Sequence, residues 1–143
     1  GELLERARRF KADAAIDGVL IQEMAPPGVE MIVGMRRDPG FGPVVLVGLG
    51  GIFVEVFQDV ALRIPPLSPE DAREMIGEIK GAKLLRGYRG SAPLDCEAIA
   101  AVLMAVAGLA LDLGGEIREL DINPLIVYPA GKGIRVVDAL ICR

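Results

Sequence analysis

The sequence predicts an α+β domain in which helices pack on one face of a largely antiparallel sheet. Short β-favouring apolar segments outnumber helical ones. The connections in the first half are too short for parallel crossovers, which need a dozen or more residues. Two longer stretches, 68–80 and 94–113, have helical spacing with an apolar face fit to cover a sheet. A chain of 143 residues is the size of a single domain, with length enough for one sizeable core.

In order, Glu2 to Ala15 is charged and Ala-rich, with Leu3, Leu4, Ala7, Phe10, Ala14 and Ala15 at helical spacing, and Asp17-Gly18 stops it. Val19–Met24 reads as a strand, and Pro26-Pro27-Gly28 turns the chain into a second strand, Val29–Met35. The turn formers of 37–43 lead to a third, Val44–Val47, completing a predicted meander. Gly48-Leu49-Gly50-Gly51 follows, then Ile52–Phe57, where Glu55 alternates with valines, and another strand, Asp59–Ile64. Ser68 is placed to cap a helix, with Pro69 at the first helical position and Asp71 close to the capping-box place; the helix runs to about Lys80, and Gly81 closes it. The glycine-punctuated 84–90 stretch, with Arg86 and Arg89, reads as a surface loop. The long helix of about 94–113 presents Ile99, Val102, Leu103, Val106, Leu109, Ala110 and Leu113 to the sheet. Gly114-Gly115 ends it, and the chain re-enters the sheet at Ile117.

Composition narrows the function. More than half of the residues are apolar, 52%, but only 4% are aromatic and none is tryptophan, so the core is built from Val, Ile, Leu and Ala. A net charge of −4 with both signs interspersed argues against nucleic acid or a membrane surface as partner. The longest apolar run, 98–111, is too short to span a bilayer. Cys96 and Cys142 have no metal-type spacing and read as reduced thiols of a cytoplasmic protein. Histidine is absent, so chemistry here falls to carboxylates, amides and backbone.

Glu119-Leu120-Asp121-Ile122-Asn123-Pro124-Leu125 and Val136-Val137-Asp138-Ala139-Leu140 are core-like segments carrying acids and an amide. A carboxylate in such a strand is costly unless paired or bound to a metal. Asp121 and Asn123 share a face by strand alternation. If the chain turns back through Pro129–Gly133, Asp138 falls opposite Asp121 or Asn123 in any register whose paired numbers sum to an odd value, with Cβ atoms about 5 Å apart. Two carboxylates and an amide oxygen are hard ligands that suit Mg²⁺ better than zinc. The Gly48–Gly51 cluster permits a tight turn or a close backbone approach to phosphate.

Taken together, Val19–Met24, Gly28–Gly34, Arg37–Pro43, Gly48–Glu55 and Glu119–Leu125 followed by Asp138 resemble, in order and over nearly the whole chain, the C-terminal half of the ATP-grasp region of NDP-forming acyl-CoA synthetases. The group includes ADP-forming acetyl-CoA synthetases and, more distantly, the succinyl-CoA synthetase β subunit. The resemblance implies that Gln22, Glu23 and Met24 form a hinge whose main chain meets adenine, that Glu30 contacts ribose, and that Gly50 and Gly51 lie near the reacting phosphates. It also implies that Asp121, Asn123 and Asp138 hold Mg²⁺ with ATP or ADP, and it designates no catalytic residue here. The family reaction passes through a phosphohistidine, which would reside on a CoA-binding, histidine-bearing domain or subunit; an N-terminal ATP-grasp lobe would complete the clamp. The expectation is therefore part of an acid–thiol ligase within a longer enzyme, inactive alone. The alternative is a structural or regulatory module of a protein lysine acetyltransferase without synthetase activity.

Overall fold

The computed structural model describes residues 1–51, 59–113 and 115–143. Its elements are α1 (Glu2–Phe10), β1 (Val29–Asp38), β2 (Gly42–Leu49), β3 (Val60–Arg63), α2 (Pro69–Glu78), α3 (Ala82–Leu85), α4 (Cys96–Asp112), β4 (Glu119–Val127), β5 (Ile134–Val136) and β6 (Ala139–Cys142). The strands form an open sheet in the order β3-β2-β1-β4, and the far edge of β4 pairs first with β6 and then with β5 along its length. Every one of these pairings is antiparallel, as the short connections require.

Alternation sorts the strands into two faces. Met31, Val33 and Met35 of β1 point with Val45 and Val47 of β2 toward the core, all buried, where they meet Met75 and Ile76 of α2 and Ile99, Leu103 and Val106 of α4. Burying each large side chain contributes about 1.5–3 kcal/mol. The helix starts follow their caps. Ser68 and Asp71 form the reciprocal capping box of α2, and Asp95 accepts the Ala98 N–H at the start of α4. Arg73 of α2 makes a two-pronged ion pair with Glu97 of α4, both contacts at 2.9 Å. The opposite face carries Glu30, Gly34 and Arg36 of β1, Leu46 of β2 and Leu62 of β3, the last 53% exposed.

Three predicted elements differ. The 84–90 stretch, expected as a surface loop, begins inside α3, and its Leu85 is buried in the core. Val19–Met24 is not a strand; residues 11–28 carry no regular structure beyond a turn, and Leu20 and Ile21 are 80% and 90% exposed. Both edges of β1 are already taken by β2 and β4, so this segment finds no ladder, and the meander is instead β1-β2-β3. The first helix also ends at Phe10 rather than Ala15, with Lys11 in extended conformation. No residue of α1 is buried, and a helix without a packing partner is only marginally stable. The predicted Ile52–Phe57 strand, with Glu55, lies outside the described residues.

Candidate functional site

The site is assembled on β4 and the strands at its far edge. Asp121 pairs with Leu140 and Ile122 with Ala139, while Leu125 pairs with Val136. One register runs through both ladders, which places Asn123 across from Asp138. Two bonds bridge the interval: the Asn123 N–H donates to the Asp138 carbonyl at 3.2 Å, and the Val137 N–H to the Pro124 carbonyl at 3.1 Å. Of the two partners the sequence allows for Asp138, the fold selects Asn123.

On its other edge β4 meets β1 with a register shift: Val33 faces Ile122, but Met31 faces Leu125. Asn123 and Pro124 therefore stand opposite the single residue Ile32 in a bulge. The bulge lets Leu120 and Ile122 before it, and Leu125 and Val127 after it, all pack on the core. Asp121 is thereby turned to the open face, and Asn123 is exposed at the bulge itself. Opposite Asp121 is Gly34, where a Cβ would lie 2.7 Å from the Leu120 carbonyl oxygen and 3.7 Å from Asp121 Oδ1. Glycine permits this close approach of the strands beside the carboxylate.

Burial, followed by the Glu119 and Asp138 carboxylates, raises the Asp121 carboxyl above its usual range. Among the described residues neither Asp121 nor Asp138 has a Lys or Arg ion-pair partner. Asp138 uses Oδ1 to accept the Ala139 N–H at 2.8 Å. Among the described residues no three His, Cys, Asp or Glu gather closely enough to hold a metal by themselves. The set is two carboxylates completed by an amide, which fits a hard divalent ion that keeps waters and phosphate oxygens in its remaining positions.

A second corner joins Glu30 to the glycine pair. The Gly50 N–H donates to the Glu30 carbonyl at 2.7 Å, and a Cβ on Gly50 would come 2.9 Å from the Glu30 carbonyl carbon. Gly51 has φ +63°, and a Cβ there would lie 3.2 Å from Glu30 Oε2. The glycines are thus a turn folded closely over Glu30, a geometry that side chains would obstruct.

Gln22, Glu23 and Met24 lie on the exposed segment that precedes β1. Its anchors are the Glu23–Arg135 ion pair at 2.6 Å and the Tyr128 hydroxyl, which donates to the Pro26 carbonyl at 3.2 Å. Arg135 pairs with Ile126, and Ile126 with Glu30. Directly opposite residues share a face, so Glu30, Ile126 and Arg135 form one row with Glu23 at its end. Gly34, Asp121 and Leu140 form a parallel row four residues along β1, roughly 13 Å away at the rise of a strand.

Sequence reasoning missed Arg135, Gly34 and Asp95. Arg135 was one basic residue in a polar hairpin, without local signal. Gly34 could have been found as a lone glycine inside an apolar strand, a sign of close backbone approach. Asp95 was inside the predicted long helix, yet it also accepts the Gly131 and Gly133 N–H groups, both at 2.9 Å, pinning the β4–β5 turn that delivers Arg135 and Asp138.

The family model for ATP-grasp domains matches residues 1–142. The chain is 50% identical over 140 residues to the β subunit of ADP-forming acetate–CoA ligase II of Pyrococcus furiosus, covering 98% of this chain and 59% of that protein. It is 52% identical over 126 residues to the β subunit of ligase I from the same organism, covering 88% and 54%. A structure of Ca. Korarchaeum cryptofilum dinucleotide-forming acetyl-coenzyme A synthetase 1, with coenzyme A, acetyl-coenzyme A and a phosphorylated phosphohistidine segment, superposes with a TM-score of 0.87 at 52% identity, covering 98% of this chain and 61% of that one. Another structure of that enzyme contains coenzyme A and Mg-AMPPCP, with the phosphohistidine segment pointing towards the nucleotide binding site; its TM-score is 0.79 at 54% identity, covering 84% and 55%. The chain thus spans little more than half the length of these relatives.

Proposed function

Since this chain belongs to the ATP-grasp domain family, we propose that it is the Mg²⁺- and nucleotide-binding C-terminal half of the ATP-grasp unit of an ADP-forming acyl-CoA synthetase. The observation that carries this reading is the placement of Asn123 opposite Asp138, with Asp121 beside them on the open face of the sheet. Similarity to acetate–CoA ligase β subunits and to a structure holding Mg-AMPPCP supports it.

In this reading Asp121, Asn123 and Asp138 hold Mg²⁺, which when bound neutralises charge on the transferring phosphoryl group. Glu30 takes the ribose, and the exposed backbone of Gln22, Glu23 and Met24 meets the edge of adenine. The Arg135 ion pair holds Glu23 in the same row as Glu30, so the base and sugar contacts are set by one strip of sheet. Gly50 and Gly51, which the resemblance puts near the reacting phosphates, fold instead over Glu30, where they keep side chains away from the ribose corner. The chain has no histidine, so the phosphoryl carrier sits on a separate CoA-binding domain or subunit, and a second lobe closes over the nucleotide. No helix among the described residues is long and apolar enough to cross a membrane. Cys96 and Cys142 are free thiols, the state that a reducing compartment maintains, and on that ground we place the enzyme in the cytoplasm. The relatives reported above are CoA ligases and synthetases, and no observation favours the acetyltransferase-module alternative.

The test is calorimetric titration of ADP into the full-length parent protein with and without Mg²⁺, repeated with Asp138→Ala and Asn123→Ala. Loss of the Mg²⁺-dependent part of the affinity in both variants is expected. Unchanged Mg²⁺ dependence in both would overturn the metal assignment.

A further inference from the structure

We infer that Asp59 is a positioning residue for the corner formed by Glu30 and the glycine pair. Its buried carboxylate holds the backbone between α2 and α3 under Leu49, the residue from which Gly50 and Gly51 turn over Glu30. That corner is the ribose contact of the reading above, on which this inference rests, and Asp59 supports it from the helix side of the sheet.

Asp59 stands where a carboxylate is costly to keep. It is 6% exposed and has no Lys or Arg ion-pair partner among the described residues, so its charge must be compensated by hydrogen bonds. Main chain supplies them: the Lys80 N–H donates to Oδ1 at 2.6 Å and the Gly81 N–H to Oδ2 at 2.7 Å. Two adjacent N–H groups facing one side chain call for two acceptors. An ionised carboxylate has both, whereas an amide would turn its NH2 toward one of the donors. The bonds fall at a break in the helices, because Ile79 leaves α2 in extended conformation and α3 starts only at Ala82.

Strand register carries this anchor to the edge of β2. Val47 pairs with Ala61 and Gly48 with Val60; one step further along the same register, Asp59 falls beside Leu49, which is itself opposite Met31 of β1. Directly opposite residues share a face, so Met31, Leu49 and Asp59 all point toward the helices, and Met31 and Leu49 are buried in the core there. Leu49 and Asp59 meet at Gly81. A Cβ on Gly81 would overlap Leu49 Cδ1, and would lie 2.8 Å from Leu49 Cγ and 3.2 Å from Asp59 Oδ2. Gly81 has φ −75°, which any residue adopts, so the position needs glycine for space and not for conformation. Asp59 thus draws bare backbone against the Leu49 side chain.

The chain then passes to the Glu30 corner within one residue. Gly50 follows Leu49 and donates its N–H to the Glu30 carbonyl at 2.7 Å. One buried side chain, Leu49, and one backbone bond therefore connect the Asp59 carboxylate on the helix side with Glu30 on the open side. A close-packed interior transmits a displacement rather than absorbing it, so lifting Leu49 from Gly81 shifts the turn over Glu30.

The test uses the full-length parent protein and two variants: Asp59→Asn, which removes one acceptor, and Gly81→Ala, which leaves the carboxylate in place but displaces Leu49. Ser68→Ala, which removes the cap at the other end of α2, controls for lost stability alone. In amide hydrogen exchange followed by NMR without nucleotide, the Gly50 N–H should exchange about tenfold or more faster, relative to Val106 in the middle of α4, in both variants. The ratio should stay parental in Ser68→Ala. Calorimetry should show ADP affinity reduced about fivefold in both variants, by the same factor with and without Mg²⁺, because Asp121 lies in a different row of the sheet. An unchanged Gly50-to-Val106 ratio in both variants overturns the inference and leaves Asp59 a structural cap. Faster Gly50 exchange at parental ADP affinity overturns it too when Glu30→Ala does weaken ADP binding. Parental ADP affinity in Glu30→Ala brings down the ribose assignment alone, and the exchange ratio then decides whether Asp59 holds the turn. Should Asp59→Asn not fold, Gly81→Ala decides by the same measurements.

Discussion

Asn123 lies directly across the edge of β4 from Asp138, its N–H donating to the Asp138 carbonyl at 3.2 Å. A backbone bond thus sets the spacing of the two side chains. Side-chain changes at either position leave this bond in place, so their effects on binding can be separated from effects on the fold.

Asp121 should trade stability for binding. Its carboxyl is raised first by burial and then by Glu119 and Asp138. The native state therefore keeps that proton longer than the unfolded chain. Stability without metal falls as pH rises from the unfolded value, about 3.9, through the folded one. Asp121→Asn is expected to raise the metal-free Tm at neutral pH by on the order of 2 °C, with the gain vanishing below the unfolded pKa. The same variant should weaken Mg²⁺-dependent ADP binding by about tenfold or more. Thermal scans at several pH values, paired with calorimetry, check both.

Asp95 should matter to the fold at low pH. The Gly133 N–H, then those of Ala98 and Gly131, hold its carboxyl below the usual range against the opposing effect of burial. A lowered folded pKa means its contribution is complete above the unfolded value and disappears as pH falls through the folded one. Asp95→Ala, which loses a helix cap and two turn bonds together, should lower Tm at pH 7 by about 3–6 °C. The difference from the parent should close in acid, below the ordinary Asp range.

Gly34→Ala should push apart the strands beside Asp121. Its Cβ would sit 2.7 Å from the Leu120 carbonyl oxygen, and overpacking of this kind costs about 1–3 kcal/mol. Denaturant unfolding should show that loss, and Mg²⁺-dependent ADP affinity should fall with it. Gly108→Ala on α4, where a Cβ meets nothing within 4 Å, serves as the control and should leave both unchanged or slightly improved.

Arg135→Met should separate binding from stability in the opposite way. The Glu23–Arg135 pair is largely exposed, and such pairs are worth about 0–1 kcal/mol. Tm should move by no more than about 2 °C, while releasing the segment that carries Gln22, Glu23 and Met24 should weaken ADP binding severalfold. Equal affinity in variant and parent would falsify a positioning role for Arg135.

Local signals carried a large part of this protein. The capping box of Ser68 and Asp71, the apolar face of the long helix from Ile99 to Ala110, and the strands around Val33 and Val45 were legible because each depends on residues a few positions apart. Val19–Met24 misled because its β-favouring composition does not supply a neighbour, and strands form only where an edge is free to pair. The length of α1 misled for the same reason: Ala-rich propensity extends a helix on paper, but nothing packs on Phe10, which is 94% exposed.

By itself the sequence determined the α+β class, the places of most strands and helices, and the identity of the acids and amide that stand out from apolar strands. It also held the parity that put Asp138 opposite one of two partners. Only the tertiary structure chose Asn123, turned Asp121 outward through the bulge at Asn123 and Pro124, tied Glu23 to Arg135, and folded Gly50 and Gly51 over Glu30. Each of those depends on strand register, which is set by how two distant faces bury their side chains together, so no short stretch of sequence encodes it.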